Sequence, residues 1–277
     1  MTVLRATYRD RIPALLALAL PVAAGLAWMA SAGAPPTYLA TNAAALLLAS
    51  AWVVLGRAPE SERAARFAAA VLLAALALPL ATGPYMASIS QDAVARWVPL
   101  GLVTVHAGMV VIPPLAVLAA RDARFGWAML AVAIVIVLFQ PDAASGFALT
   151  FAAVGLHHAT KDWRIGAVAV GGFFASLLMS VSGELPPQDY IEQVVQQSVA
   201  SGIAVTLLLV ASLGASFLLT VFAAPLERSA RLALAGSLFG FVIMAMMSTY
   251  PTPLVGYGAA PILGLGLALG LVRRERA

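Results

Sequence analysis

The chain contains no cysteine, which excludes disulfides, thiolate catalysis and cysteine-ligated metal sites. Charge is also scarce: 10% of its 277 residues are Asp, Glu, Lys or Arg, against about 25% in an ordinary soluble domain. No P-loop, dinucleotide fingerprint or HExxH pattern is present, and neither a soluble domain, a low-complexity linker nor an internal repeat stands out. The apolar runs lack the intramembrane charges expected of a proton-coupled pump or ion carrier.

What fills the sequence instead is apolar: 62% of residues are hydrophobic and the mean hydropathy is +0.96. So much apolar surface cannot be hidden in one aqueous core, and the chain reads as an all-α integral membrane protein. At about 20 residues per span its length allows roughly nine or ten helices, forming one polytopic domain over residues 1–277. The expected spans are Ile12 to Ala30, Tyr38 to Leu55, Phe67 to Ala81, Val98 to Ala119 and Trp127 to Phe139. They continue with Phe147 to His157, Ile165 to Val181, Val194 to Phe222, Leu232 to Met247 and Ala259 to Val272. The basic front of the first span and its trailing Ala30-Ser31-Ala32 also resemble a cleavable signal, but its length favours a retained helix.

The sequence pI of about 9.8 reports orientation, not a nucleic-acid partner. With the N-terminus cytoplasmic, every Lys and Arg except Arg96 falls in a cytoplasmic segment. The expectation is a multi-pass protein of the bacterial cytoplasmic (inner) membrane with both termini inside. Its outer face is acidic, with Asp92, Asp142, Glu184, Asp189 and Glu192 against Arg96.

Four outer features sit at span ends: Arg96-Trp97, Gln140-Pro141-Asp142, the stretch from Glu184 to Glu192, and Tyr250 to Gly258. Prolines and glycines at membrane depth leave backbone groups unpaired, which is tolerable only where protein or water surrounds them. Asp142 and Asp189 could converge on a cation or share general-base work. A structural alternative makes Asp142 the N-cap of the sixth helix and the Asp189 stretch a simple hairpin loop. His106, eight residues into the expected fourth span, reads as a buried group bonded to a neighbour or as a functional one. His157 and His158 at a helix C-terminus are accounted for by interfacial solvation and the helix dipole. Gly236-x3-Gly240 and Gly266-x3-Gly270 read as close packing within the bundle.

Taken together these stretches resemble the SEDS (shape, elongation, division and sporulation) family of peptidoglycan polymerases. Arg96-Trp97-Val98-Pro99-Leu100-Gly101 is similar to the family's RW-x-x-LG, and Gln140-Pro141-Asp142 to its QPD. Glu184-Leu185-Pro186 with Asp189-Tyr190-Ile191 resembles its LPE-x-x-TDFI, whose aspartate is the essential residue. Pro251-x-Pro253-Leu254-Val255-Gly256-Tyr257-Gly258 resembles its LPLPFVSYGG. The chain departs from the pattern where the family's acid and lysine fall on Met109 and Ile112, where Gly256 replaces a serine, and where a large outer loop is almost absent.

The resemblance implies a lipid-linked glycosyltransferase that polymerises lipid II at the outer membrane face. It makes Asp189 and Asp142 the catalytic residues and ligands of a divalent cation (Mg or Mn). Arg96, Trp97, Gln140, Glu184 and Tyr257 become the substrate-binding residues. Undecaprenyl-linked lipid II, membrane lipid and a single-span class B penicillin-binding protein become the partners. Two other functions compete: a non-catalytic relative that binds a lipid carrier or partner and regulates wall synthesis, and a lipid flippase or small transporter.

Overall fold

The computed structural model describes residues 10–101 and 103–273. The basic residues Arg5, Arg9, Arg274 and Arg276, used above to orient the chain, lie outside them. The ten expected apolar segments are ten helices: α1 (Ile12–Ser31), α2 (Pro36–Leu55), α3 (Glu62–Ala77), α4 (Ala107–Arg121) and α5 (Gly126–Leu138). They continue as α6 (Ala143–Thr160), α7 (Trp163–Ser182), α8 (Ile203–Phe222), α9 (Arg228–Met247) and α10 (Ala259–Leu269). Six are long and apolar enough by themselves to cross a membrane: α1, α2, α3 with its extension to Thr82, α7, α8 and α9.

The helices divide by surroundings. Residues Ala107 to Ala119 of α4 are buried almost without interruption, so α4 is the central rod. Around it pack α3, α5, α9 and α10. Large apolar side chains on outer helices, such as Phe67, Phe174, Leu178 and Phe222, are exposed, as lipid-facing groups must be. α6 and α9 make the closest pair. A Cβ on Gly236 or Gly240 would collide with the carbonyls of Phe151 and Phe147, and one on Gly266 with Ala49. Both glycine pairs expected to allow close packing therefore do so inside the bundle.

Two expected spans require correction. The expected fourth span does not begin as helix: β3 (Trp97–Leu100) pairs antiparallel with β4 (Val103–His106), Trp97 facing His106 in register. Pro99 lacks a backbone donor and restricts the residue before it, Gly101 turns at φ +66, and Val103, Thr104 and Val105 are β-branched. A second small hairpin, β1 (Met86–Ala87) with β2 (Ala93–Val94), lies in the preceding loop. The other correction is the eighth segment. Gly202 at φ +108 interrupts it, leaving a short helix Val194–Ser198 and a single 3-10 turn before α8.

The polar contacts segregate to two ends. At one end Arg11 donates to the carbonyl of Gly56, Ala58 N–H to Val272, and Arg121 and Arg273 both pair with Glu227. There too Arg66 bonds Asp122 at 2.6 Å, and this bond holds the Asp122 carboxyl below its ordinary pKa. Arg57, Arg63, Arg124, Lys161, Arg164, Arg228 and Arg231 lie in the same set of connections or in the first turns of the helices that leave them. Arg96 stands alone among the described Lys and Arg residues at the opposite end, with all four motifs.

Candidate functional site

The site is built on the hairpin that leads into α4. Ala107 N–H bonds the carbonyl of Arg96, so the pairing runs through to the helix start. His106 is the N-cap of α4: its Nδ1 accepts the N–H of Met109 at 3.3 Å. Because Nδ1 accepts, the ring proton belongs on Nε2. That atom faces Asp142 Oδ2 at 3.5 Å. His106 is therefore not eight residues inside a span but at the mouth of one, and it meets a carboxylate.

Asp142 is fully buried and caps α6, its Oδ1 accepting the N–H of Ser145 at 3.2 Å. An N-cap bond contributes about 1 kcal/mol, whereas enclosing an unpaired carboxylate costs several. Capping alone does not justify the burial; Arg96 does. Its Nε lies 3.9 Å from Asp142 Oδ1. Its guanidinium bonds the carbonyls of Pro141 and Gly183, donates to the Tyr250 hydroxyl at 3.1 Å, and packs 4.6 Å over the Tyr250 ring. Gly183 must be glycine here, since a Cβ would meet both Pro141 and Arg96. One arginine thus joins β3, the α5–α6 junction, the end of α7 and the loop after α9. Trp97 packs edge-on against His106, ring centroids 5.6 Å apart. Gln140, fully buried, donates to the carbonyl of Leu76 at the end of α3.

Above this layer the remaining motifs are bonded to each other. Glu184 Oε1 accepts from Ser248 at 2.8 Å and Thr249 at 3.2 Å, fastening the Glu184–Pro187 strap to the end of α9. The Asp189 turn is joined to the Pro251–Gly258 loop by backbone bonds: Thr252 N–H to Ile191, Tyr257 N–H to Tyr190, and a bridge between Glu192 and Pro251. Tyr190 sits at φ +65, and its hydroxyl donates to the Ala32 carbonyl at 2.7 Å. Tyr38 and Tyr257 stack at 3.7 Å, with Tyr190 edge-on to Tyr38 at 6.4 Å. Asp189 is exposed at the tip of this turn, beside the tyrosine rim.

The expected residues therefore fall into two environments. Arg96, Gln140 and Asp142 are enclosed, each bonded to backbone, and Arg96 and Asp142 pair with each other. Trp97, Glu184 and Tyr257 are partly exposed, and Asp189 is exposed. Among the described residues no hydrogen bond or ion pair joins Asp142 to Asp189, and no trio of His, Asp or Glu side chains is arranged to hold a metal ion.

Three residues matter here to which the resemblance assigned no role. Tyr250, fully buried, carries the Arg96 guanidinium. Asn42, the chain's one asparagine, clamps the loop before α10: its Nδ2 donates to the Gly256 carbonyl at 2.9 Å and its Oδ1 accepts from Gly258 at 3.0 Å. A lone amide in an apolar helix was its signal. Glu192 is 8% exposed and accepts the Gln188 N–H at 2.8 Å. Burial pushes its carboxyl up to about 7, against the opposing pull of that N–H and of Arg96.

No family model matches the sequence, and no curated protein matches it at a significant level. Solved structures do. The crystal structure of the Thermus thermophilus rod shape determining protein RodA is similar over 93% of this chain and 94% of that one, with TM-score 0.67 and 21% identity. An aspartate-to-alanine variant of the same RodA is similar over 93% and 95%, with TM-score 0.68 and 21% identity. The chain thus has the fold of RodA, the SEDS-like helical membrane fold that its four motifs imply.

Proposed function

We propose that this chain is a glycosyltransferase of cell-wall assembly that polymerises lipid II at the outer face of the bacterial cytoplasmic membrane, both termini lying inside. The observation that carries the reading is the exposed Asp189 on a turn made rigid by its backbone bonds to the Pro251–Gly258 loop. A general base needs an accessible carboxylate held in a fixed place. In this reading an acceptor sugar hydroxyl gives its proton to Asp189 as its oxygen bonds the donor's anomeric carbon. The undecaprenyl pyrophosphate leaves with the electron pair of the broken C–O bond. The tyrosine rim of Tyr38, Tyr190 and Tyr257 offers flat apolar faces to the sugars, and a single-span class B penicillin-binding protein supplies the partner activity.

The pair of Asp142 and Asp189 does not fit a shared divalent cation. Asp142 is enclosed and already faces Arg96 and His106, so no step is derived through a metal. Asp142 acts in this reading as a positioning residue that fixes Arg96 and, through it, the loops that carry Asp189.

One observation favours a second reading, in which the protein binds a lipid carrier or partner and regulates wall synthesis without catalysing it. Met109 and Ile112, 1% and 0% exposed, fill the positions of the family's acid and lysine with packed apolar side chains. The test is polymerisation of lipid II by the purified full-length protein, alone and with a class B penicillin-binding protein. Wild type is expected to form glycan and Asp189→Asn to lose about a hundredfold, whereas Asp92→Asn keeps its activity. Glycan synthesis by Asp189→Asn at the wild-type rate would sink the catalytic role, and no synthesis by wild type under any condition would leave the regulatory reading.

A further inference from the structure

The arginine-rich end, opposite the motifs, holds a cavity of about 620 Å³, within the range of small-ligand sites. Its polar wall includes Arg57 and Glu60 from the α2–α3 link, Glu62, Arg121 and Asp122 at the end of α4, and Arg273 beyond α10; Leu118 and Met129 form an apolar wall. The side chain of Arg121 is 6% exposed. Its Nε and Nη2 donate to Glu227 at 3.0 and 2.8 Å, but its Nη1 is buried with no partner. A buried charged donor left without an acceptor is costly, and Arg121 also lines the cavity. Arg273 meets Glu227 through Nε at 3.2 Å. Arg57 makes no hydrogen bond or ion pair among the described residues.

The acidic residues around the cavity are mostly committed elsewhere. Asp122 and Glu62 both bond Arg66, and Glu227 is divided between Arg121 and Arg273. Glu60 is the uncommitted carboxylate. Three arginines with uncommitted donors thus line one cavity beside an apolar wall, which suits an anion attached to an apolar body better than it suits a cation.

We propose that this cavity binds a phosphate group through Arg57, Arg121 and Arg273. A guanidinium fork matches phosphate oxygens in geometry and charge. The phosphate comes either from an anionic phospholipid of the surrounding leaflet, whose acyl chains would follow Leu118 and Met129, or from a soluble phosphate. The site stands at the far end of the bundle from Asp189 and is independent of the reading of that residue.

The experiment uses the full-length protein in detergent, with two arms. Native mass spectrometry measures retention of added phosphatidylglycerol, and a thermal-shift titration measures stabilisation by inorganic phosphate. Lipid retention without a phosphate response assigns the site to a headgroup; a phosphate response without lipid retention assigns it to a soluble ligand. In whichever arm responds, Arg57→Gln is expected to weaken binding about tenfold, the loss of one charged hydrogen bond. Arg121→Lys, which keeps the charge opposite Glu227 and so protects folding, is expected to weaken it similarly. Arg124→Gln, exposed at the same end but outside the cavity, is expected to bind as wild type. The proposal is overturned if neither arm responds, if Arg57→Gln and Arg121→Lys bind as wild type, or if Arg124→Gln weakens binding as much as Arg57→Gln, which marks a diffuse surface attraction.

Discussion

Arg96 Nε lies 3.9 Å from Asp142 Oδ1, with the two side chains 1% and 0% exposed. Removing one partner of a buried pair leaves the other charge uncompensated, at a cost of about 3–5 kcal/mol. Arg96 also holds the carbonyls of Pro141 and Gly183, so Arg96→Gln is expected to lower the melting temperature in detergent strongly. Arg96→Lys should restore only part of it, since one ammonium cannot reach all of these acceptors. A melting temperature unchanged in Arg96→Gln would mean that the outer loops do not depend on this hub.

Glu192 gives a pH dependence with a definite sign. Its folded-state carboxyl is raised to about 7 from an ordinary 4.5, so the folded protein binds a proton that the unfolded chain has released. Its contribution to stability is complete below about pH 4.5 and is lost as pH rises to about 7. Unfolding measured across that window should show stability falling with pH, and Glu192→Gln should flatten the fall. An equal slope in the variant would assign the effect to another group.

Asn42 satisfies one acceptor and one donor of the loop before α10, at Gly256 and Gly258. Asn42→Leu keeps the volume and removes both bonds, leaving backbone groups unpaired at about 1–3 kcal/mol each. The expected outcome is a less stable protein with looser Tyr257, read as a lower melting temperature and faster amide exchange at residues 256–258. Protection equal to wild type would show that another group can take over the clamp.

The lack of native cysteine makes orientation directly measurable. Single cysteines at Asp92 and Arg124, both exposed and at opposite ends of the bundle, should react differently with a membrane-impermeant maleimide. Asp92→Cys is expected to label in intact cells and Arg124→Cys only after permeabilisation. The reverse pattern would turn the bundle over and place the Asp189 turn inside.

Hydropathy located the ten helices because burial in lipid demands long apolar runs, and that demand leaves a plain trace. It failed at Val98 to Val105, where an apolar β-hairpin and an apolar helix have the same composition. Pro99 and Gly101 were the available signals against a helix. It also missed the break at Gly202, where one residue's φ decides the outcome. The motifs brought Arg96, Gln140, Asp142 and Asp189 to one end, as the arrangement of spans required. What the sequence did not disclose was that Arg96 and Asp142 neutralise each other inside while Asp189 stands exposed. Pairing across 46 positions has no local signature, and neither has the reach of Asn42 to Gly256.

The hairpin that replaces the first turns of α4 has a consequence for the membrane itself. α4, α5 and α10 have 15, 13 and 11 residues, about 22, 20 and 16 Å of helix, against a hydrocarbon layer of about 30 Å. Their far ends meet the arginine-rich surface, so the shortfall lies beneath the motif loops. The loops that carry Arg96, Asp142, Glu184 and Tyr250 complete that depth in place of helix, so charged and hydroxyl groups of the site sit where a full-length helix would place its outer turn. Each elementary charge moved through the whole drop of a transmembrane voltage changes energy by about 2.3 kcal/mol per 100 mV. An anionic group descending to the level of Arg96 would cross part of that field, so its binding would respond to the electrical state of the cell as well as to its concentration.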